Sequence, residues 1–303
     1  MKKIIKIEQS ENAPFRLTWL INNICPNDCS YCGDEYKSGK NHYYEWENAR
    51  KFIKILFERY PLIDCSVVGG EPSISPFFPE LVRLFKDAGH TIGVTTNAAK
   101  TARYWAEISQ ELDYILFSWH PEFIDKAFEE KVTVSAKNTF VLIKIMMHPE
   151  HWDKCIETYN HYYAIDNLFV EAVKVEGPIG KYTEEQLQWF ATGVKPIKPN
   201  LSFPIDIRSN YYFNDGTVEY KGSVNTYISR GLNDFTNYAC DIGVKSLYID
   251  WVGDIKKAWC GVDGVLGNVN EPDKISWPDK PTVCTYNSTC VCGADVAIGK
   301  RIL

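Results

Sequence analysis

The sequence lacks a long hydrophobic run and a strongly basic segment. No window reaches the roughly 18 uninterrupted apolar residues that indicate a membrane helix. The opening stretch MKKIIKIEQSENAPF is too polar for a secretory signal. The formal net charge of −6, without a Lys/Arg cluster, disfavours a nucleic-acid-binding face. We therefore expect a cytoplasmic protein with no membrane partner.

Cysteine, in contrast, is abundant. The chain has ten cysteines, and disulfides are rare in a reducing compartment, so metal ligation and catalysis are the roles to consider. Eight of them form two groups, Cys25, Cys29 and Cys32 near the start and Cys240, Cys260, Cys284, Cys290 and Cys292 near the end. Cys65 lies in the apolar run IDCSVV, which predicts a small buried side chain.

The first two-thirds of the chain alternates β-rich runs with amphipathic segments. The predicted strands cover residues 15–21, 63–68, 91–96, 113–119, 140–147 and 168–175. The predicted helices cover residues 44–60, 76–89, 101–112, 121–130, 151–163 and 183–190, the last with Thr183 as its N-cap. Consecutive β–α units predict parallel strands with right-handed crossovers. Six units, where a closed barrel has eight, predict an α/β fold that is a partial (β/α)6 TIM-like barrel.

The pattern changes after about residue 195. Residues 205–220 predict a hairpin around Asn214-Asp215-Gly216, and residues 247–260 predict a second hairpin that ends at Cys260. The Gly-, Pro- and Asp-rich segment that follows has little core of its own, so metal ligation would have to hold its shape. The expected domains are a barrel at 10–195, a bridging segment at 196–234 and a small cysteine-rich β-hairpin domain at 235–303.

The first cysteine group, C-x3-C-x2-C, directly follows the first predicted strand. It therefore lies at the carboxyl end of the sheet, where barrel active sites are built. Structural zinc prefers four protein ligands, and His42 is the only histidine close in sequence, so zinc fits this loop poorly. A four-iron cluster held by three thiolates fits better, because it leaves one iron free to bind a cofactor.

The triplet Cys25, Cys29 and Cys32, with Tyr31 before the last cysteine, resembles the radical S-adenosylmethionine (SAM) superfamily. VVGGEP at residues 67–72 strengthens this resemblance, because in that family such a strand end holds the amino end of the methionine of SAM.

Each residue type at this strand end suits that role. Gly69 and Gly70 permit a close backbone approach. Glu71 can accept charge-assisted hydrogen bonds from an ammonium group, and Pro72 ends the strand.

Two further strand ends are similar to the family pattern. Thr96 and Asn97 lie in TTNA, which resembles the family's T-N-G stretch with Ala98 where glycine is usual. Ser118 in FSWH stands where relatives have a polar residue that reaches the ribose, and His120 stands where many relatives carry aspartate. Asn97 and Ser118 could alternatively serve as strand-end caps.

The resemblance implies a reaction and its partners. A one-electron reductant such as flavodoxin or ferredoxin would reduce the [4Fe–4S] cluster, and reductive cleavage of SAM would give methionine and a 5′-deoxyadenosyl radical that abstracts hydrogen from the substrate. The activity would be oxygen-sensitive, and no catalytic side chain is assigned. Relatives with such C-terminal domains often modify peptides or proteins, so a maturase is the first expectation. The alternatives are modification of a nucleoside, nucleic acid or small metabolite, or a non-catalytic iron–sulfur protein, against which VVGGEP argues.

The second cysteine group resembles the auxiliary-cluster domains called SPASM or twitch. IDWVGDIKKAWC is similar to their opening hairpin, although Gly253 precedes Cys260 by seven positions where five is common. Five cysteines suffice for one four-iron cluster and are too few for two. We expect Cys240 and Cys260 to be ligands, with two more from Cys284, Cys290 and Cys292; a structural zinc is the alternative.

Two other clusters are weighed and set aside. His148 and His151 in HPEHW could share a metal, but their position at the start of a helix predicts surface histidines. Tyr211, Tyr212 and Phe213 are left as a possible wall of a substrate site.

Overall fold

A computed structural model of the chain describes residues 2–39, 44–177, 179–196, 198, 209–220 and 222–303. The chain divides into two compact units. One consists of Met1–Leu20, His42–Ser66 and Ile205–Leu303, and the other of Ile21–Asn41 and Val67–Pro204. Among the helices in the described ranges, none is long and apolar enough to cross a membrane.

Strands and helices are numbered in chain order. The strands of the described ranges are β1 Ile4–Glu8, β2 Phe15–Leu20, β3 Ile63–Val68, β4 Thr91–Thr96, β5 Tyr114–Trp119, β6 Phe140–Met147, β7 Phe169–Lys174, β8 Asn210–Phe213, β9 Val218–Glu219, β10 Tyr238–Cys240, β11 Ser246–Ile249, β12 Asp254–Lys256, β13 Val265–Asn268, β14 Thr282–Val283 and β15 Lys300–Ile302. The α-helices are α1 Trp46–Arg59, α2 Phe78–Asp87, α3 Ala102–Ile108, α4 Phe128–Ser135, α5 Trp152–Tyr163, α6 Glu184–Thr192, α7 Val224–Ser229 and α8 Gly293–Val296. Short 3-10 helices cover Asp34–Tyr36, Pro72–Ile74, Pro149–His151 and Pro272–Lys274.

The strands of the predicted barrel occur where the sequence places them. Their hydrogen-bonded order, β2-β3-β4-β5-β6-β7, follows the order of the chain. The pairs β4–β5, β5–β6 and β6–β7 are parallel. The prediction of a partial barrel with a helix after each strand is therefore confirmed.

The ends of two helices can be compared with the ends predicted from the sequence. Helix α6 begins after Thr183, whose side chain accepts the Gln186 N–H while the Gln186 side chain accepts the Thr183 N–H, so the predicted N-cap is part of a complete capping box. Helix α4 was predicted at 121–130, and this prediction is wrong in its start, since the helix begins at Phe128. Residues 121–127 form a loop, in which the Ala127 N–H donates to the Asp125 side chain.

The unit that contains β2 includes the predicted second hairpin and a strand, β13, that was not predicted from the sequence. Strand β11 pairs in parallel with β2, with Ser246 opposite Arg16, and continues into the antiparallel strands β12 and β13. The predicted second hairpin is thus confirmed, and it also extends the parallel sheet.

The same unit contains a six-stranded sheet of order β14-β10-β15-β1-β8-β9. Strands β8 and β9 form the predicted hairpin around Asn214-Asp215-Gly216, although residues 205–208 of that prediction lie outside the described residues. Tyr211 and Phe213 are buried in a core cluster with Ile4 and Tyr227. The possible substrate wall is therefore wrong for these two residues, because their rings pack inside the unit.

The unit that contains β4–β7 has an aromatic contact between sheet and helices. Phe117 of β5 is fully buried. Its ring lies 5.2 Å from Trp105 of α3 and 5.9 Å from Phe128 of α4, both edge-on. Such buried aromatic contacts dominate core energetics.

Phe117→Ala is expected to lower the free energy of unfolding by about 3–5 kcal/mol, because it leaves a cavity between the sheet and two helices. Anaerobic urea titration followed by tryptophan fluorescence measures the change. Phe123→Ala is the matched control: Phe123 is 39% exposed, and a surface change of this kind is expected to cost about 0.5 kcal/mol or less. Equal losses in the two variants would contradict this assignment of the core.

Candidate functional site

The three cysteines of the first group lie on the loop that follows β2. Cys29 is buried, with 4% of its surface exposed, whereas Cys25 and Cys32 are half-buried. The Cys32 N–H donates to the Cys29 carbonyl at 3.1 Å, and the Lys37 ammonium donates to the same carbonyl at 3.0 Å. The loop therefore has a defined shape around its thiols.

This cysteine loop is joined by backbone hydrogen bonds to the end of β3. The Gly70 N–H donates to the Asn22 carbonyl at 2.9 Å, and the Glu71 N–H donates to the Ile24 carbonyl at 2.7 Å. The Asn22 side-chain amide donates back to the Glu71 carbonyl at 3.0 Å. The glycine-rich strand end thus lies directly beside the residue that precedes Cys25.

The close approach explains the glycine at position 70. A Cβ atom on Gly70 would lie 2.3 Å from the Ile24 carbonyl oxygen and 2.6 Å from the Tyr36 carbonyl oxygen. Both clashes involve backbone atoms, so any side chain would separate the strand end from the cysteine loop.

Glu71 connects two strand ends. Its side chain is fully buried and accepts hydrogen bonds from the Thr96 hydroxyl at 2.7 Å, the Asn97 N–H at 2.7 Å and the Ser73 N–H at 2.9 Å. Burial raises the pKa of this carboxyl, and the three donors oppose the rise. In the structure the carboxylate therefore joins the end of β3 to the end of β4, a role that the sequence analysis did not assign to it.

Asn97 contacts the first cysteine. Its side-chain amide donates to the Cys25 sulfur at 3.3 Å. Its Oδ1 atom is buried and has no hydrogen-bond partner in the described part of the chain. A buried acceptor without a donor is costly, so this atom is suited to a ligand that can donate.

The next residue has an unusual backbone conformation. Ala98 has φ of 64°, in the left-handed region that favours glycine. Its N–H donates to the Thr96 hydroxyl at 3.0 Å, and its carbonyl accepts from the Lys131 ammonium at 2.8 Å. Lys131 is buried and pairs with Asp125. A buried charged network thus fixes the turn that presents Asn97.

Ser118 lies on β5 and is 8% exposed. Its register partner on β6 is Lys144, whose partner on β7 is Glu171. Register partners on neighbouring strands lie on the same face of the sheet, so these three polar residues form a row across it. Neither Lys144 nor Glu171 was predicted as a site residue from the sequence; a charged residue within an otherwise apolar strand was the available signal.

Tyr31 and His120 lie against the second cysteine. The Tyr31 hydroxyl is 2.5 Å from His120 Nδ1, and the same nitrogen is 3.5 Å from the Cys29 sulfur. The two rings are nearly parallel, at an interplanar angle of 11°. Burial lowers the pKa of His120 to about 4, so its imidazole is neutral at pH 7.

The surface position predicted for His148 is wrong. His148 is 2% exposed, and its Nδ1 accepts the Glu150 N–H while its Nε2 lies 3.2 Å from the Ser30 hydroxyl. These contacts hold the histidine under the cysteine loop. His151 is exposed, as expected.

The chemistry of the first cysteine group fits an iron–sulfur cluster. Burial raises the pKa of all three thiols, to about 12 for Cys29, and iron coordination would deprotonate them. Among the described residues, no three His, Cys, Asp or Glu side chains converge as a single metal ion requires. A four-iron cluster binds each thiolate at a separate iron, so its ligands need not converge on one point. His42, the histidine weighed as a zinc ligand, lies outside the described residues.

The second cysteine group lies in the other unit, where Cys260 packs against a buried cluster that contains Cys240. Burial raises the pKa of Cys260, and Asp295, Cys284 and Cys240 add to the rise. Burial likewise raises the pKa of Cys290 to about 12, with further contributions from Asp295, Cys240 and Cys260. Side chains that raise one another's pKa in this way lie near one another.

Cys292 differs from the other four. Its thiol donates a hydrogen bond to the Asp295 carboxylate, which also accepts the Trp259 N–H at 2.9 Å. Burial is the first cause of the raised pKa of Cys292, and Asp295 is the next. Burial raises the pKa of Asp295, and two positive side chains, Lys300 and Arg16, oppose the rise. Lys300 is 3% exposed and donates to the carbonyls of residues 295, 296 and 298.

Comparisons with known proteins agree with this geometry. Residues 19–120 match the model of the Radical SAM superfamily, whereas no curated protein matches the sequence. SuiB of Streptococcus suis bound to S-adenosylmethionine is similar in structure, with a TM-score of 0.55 and 15% identity over 86% of this chain and 64% of that chain.

Two further structures are similar. SuiB bound to precursor peptide SuiA has a TM-score of 0.56 and 13% identity over 88% of this chain and 65% of that chain. Native anSMEcpe with bound AdoMet and Kp18Cys peptide has a TM-score of 0.51 and 14% identity over 84% of this chain and 78% of that chain.

At these identities the solved structures show a shared fold, and the chain spans less than two thirds of SuiB, which it covers to 66% at most. The matched residues 19–120 contain the cysteine loop and the strand ends at Gly69–Pro72 and Thr96–Asn97. The family model therefore matches the third of the chain that contains the candidate site.

Proposed function

We propose that this chain is a radical SAM enzyme that abstracts hydrogen from a peptide or protein substrate. The observation that carries the proposal is the backbone pairing of the cysteine loop with the strand end at Gly69–Pro72, because it places three thiols beside a glycine-rich edge. A protein that only carries electrons would need the three thiols but not the glycine-rich edge beside them.

The chain's own residues would hold the cofactors as follows. Cys25, Cys29 and Cys32 would bind a [4Fe–4S] cluster, and the backbone of Gly69–Pro72 would bind the amino end of SAM. Together these groups supply one-electron reductive cleavage of SAM, with flavodoxin or ferredoxin as the electron donor. Glu71 and Thr96 would position the edge by their mutual hydrogen bond.

The carboxylate and ribose of SAM would meet the next strand ends. Asn97 has an unpaired buried Oδ1 that could accept a hydrogen bond from a hydroxyl group. Ser118 lies further along the sheet, and its register partner Lys144 carries the positive charge that a carboxylate requires. Tyr31 would border the cluster, with its hydroxyl directed to His120.

We further propose one auxiliary [4Fe–4S] cluster in a SPASM/twitch-like domain at residues 235–303, joined by a bridge at 196–234 to the radical SAM core at 10–195. Cys240, Cys260, Cys284 and Cys290 would be its ligands, since Cys260 packs against the buried cluster that contains Cys240, Cys284 raises the pKa of both, and Cys240 and Cys260 raise the pKa of Cys290. Cys292 would be the spare thiol: it donates a hydrogen bond to the Asp295 carboxylate, and two ligands from a C-x-C segment would be geometrically strained.

The proposal of a peptide substrate is supported only by the similarity in fold to solved structures. The similar structures include one bound to precursor peptide SuiA and one bound to Kp18Cys peptide. At 13% and 14% identity these likenesses support the substrate class and no particular sequence. A gene for a short precursor peptide beside the gene for this chain would strengthen the proposal.

The reconstituted and reduced protein is expected to convert SAM to 5′-deoxyadenosine and methionine under anaerobic conditions. The measurement is chromatography of the nucleoside products. Replacement of Cys25, Cys29 and Cys32 by alanine should abolish the product, because no cluster could bind at the loop.

Cys65→Ala is the matched control, since Cys65 is fully buried in β3 and is not a proposed ligand. This variant should retain the activity. A fully loaded, reduced wild-type protein that forms no 5′-deoxyadenosine would favour a non-catalytic iron–sulfur protein instead.

Iron content tests the auxiliary cluster. The wild-type chain should bind about eight irons, and the variant lacking Cys25, Cys29 and Cys32 should retain about four. Iron and acid-labile sulfide are determined after anaerobic reconstitution. Complete loss of iron from this variant, in a protein that remains folded by circular dichroism, would remove the auxiliary cluster from the proposal, and retention of zinc would replace it with a zinc site.

Two cysteines only two positions apart provide a sharper test of the ligand set. In the background that lacks the first cysteine group, Cys290→Ala should lose most of the remaining iron, whereas Cys292→Ala should keep it. The reason is that Cys290 is proposed to bind iron, whereas Cys292 is proposed to remain a thiol that donates a hydrogen bond to Asp295. The reverse pattern would exchange the roles of the two residues.

A further inference from the structure

Cys29 is the most buried cysteine of the loop, and two side chains meet at its sulfur. His120 Nδ1 lies 3.5 Å from the sulfur and 2.5 Å from the Tyr31 hydroxyl. The Tyr31 hydroxyl also hydrogen-bonds to Cys29. Three polar atoms from the cysteine loop and the end of β5 thus form one compact group.

The directions of these hydrogen bonds follow from the donors available. A thiolate bound to iron can only accept hydrogen bonds. The Tyr31 hydroxyl is therefore the donor of its hydrogen bond to the Cys29 sulfur. The tyrosine oxygen can then accept a hydrogen bond from His120 Nδ1, in the tautomer that carries its proton on that nitrogen. This assignment gives every atom in the group a compatible partner.

The same loop segment is held from other directions. Glu122, two residues after His120, accepts the Ser30 N–H at 3.0 Å. His148 lies 3.2 Å from the Ser30 hydroxyl. Residues 29–31 are thereby fixed against the ends of β5 and β6, so the Tyr31 hydroxyl has little freedom to leave the sulfur.

We propose that Tyr31 and His120 act as positioning residues, forming a hydrogen-bond relay from the His120 imidazole through the Tyr31 hydroxyl to the Cys29 thiolate that raises the reduction potential of the cluster. The inference rests on the proposed binding of a [4Fe–4S] cluster at this loop. Hydrogen bonds to cluster sulfurs stabilise the more negative, reduced state, and so they raise the potential.

The experiment is a redox titration followed by electron paramagnetic resonance. The signal whose line shape changes on addition of SAM identifies the cluster of the cysteine loop and separates it from an auxiliary cluster. Tyr31→Phe is expected to lower the midpoint potential, because it removes the hydrogen bond from the Tyr31 hydroxyl to the Cys29 sulfur. His120→Leu should lower it by a smaller amount, since the tyrosine then loses its supporting donor.

Two variants control for disturbance of the site. Tyr104→Phe makes the same chemical change at a buried hydroxyl that has no hydrogen-bond partner in the described part of the chain, and it should leave the potential unchanged. His120→Asn keeps an N–H near the position of Nδ1 and should restore a potential close to that of the wild type. The double variant Tyr31→Phe/His120→Leu should match Tyr31→Phe alone, because a relay acts through one final bond.

Unchanged potentials in Tyr31→Phe and His120→Leu, with a full complement of iron, would overturn the relay. Additive shifts in the double variant would also overturn it, because they indicate two independent donors. If Tyr31→Phe loses its iron, His120→Leu should still have a lower midpoint potential than His120→Asn. Equal potentials in these two variants would overturn the relay. Failure of the proposed function gives a different result, namely a wild-type protein with no SAM-responsive cluster signal.

Discussion

The candidate site depends on two backbone hydrogen bonds, from Gly70 to Asn22 and from Glu71 to Ile24. They hold an irregular loop against a strand end, and they are possible only because position 70 has no side chain. The strand end is in turn fixed by the Glu71 carboxylate, whose donors come from β4 and the 3-10 helix that follows β3. A buried carboxylate without partners would be costly, so the thiols, the glycines and the threonine form one interdependent arrangement.

The turn after β4 shows how the fold maintains a strained segment beside this arrangement. A left-handed conformation at an alanine costs about 1–2 kcal/mol. A hydrogen bond from a charged donor contributes about 1.5–3 kcal/mol, and Lys131 makes such a bond to the strained carbonyl. The magnitudes are comparable, so the bond can offset the cost of alanine at a position where relatives use glycine. Strain of this kind is common near functional sites, where a neighbouring network enforces the geometry.

The sequence was sufficient for the parts of the fold that depend on local patterns. Apolar periodicity placed β3, β4 and β6 at their observed limits, and the N-cap of α6 was visible as Thr183. Spacing and residue type also identified the cysteine loop and the glycine-rich strand end. What was missed depends on contacts between distant segments. Strand β1 is short and half-polar, and its partners β8 and β15 lie about two hundred residues or more away. The donors to Glu71 come from a neighbouring strand end, and no spacing rule reports which way a side chain turns.

Strand β15 brings together the far ends of the chain, since it lies between β1 and β10 and sets Lys300 opposite Cys240. During translation these strands are synthesised in the order β1, β10 and β15. Strand β1 can therefore pair with β15 only after residues 300–302 have been synthesised. The five thiols near β10 and α8 are then in place only when residue 302 has left the exit tunnel. Metal delivery to the proposed auxiliary site would therefore come after β15 is synthesised, whereas the cysteine loop and the ends of β3 and β4 are synthesised within the first hundred residues.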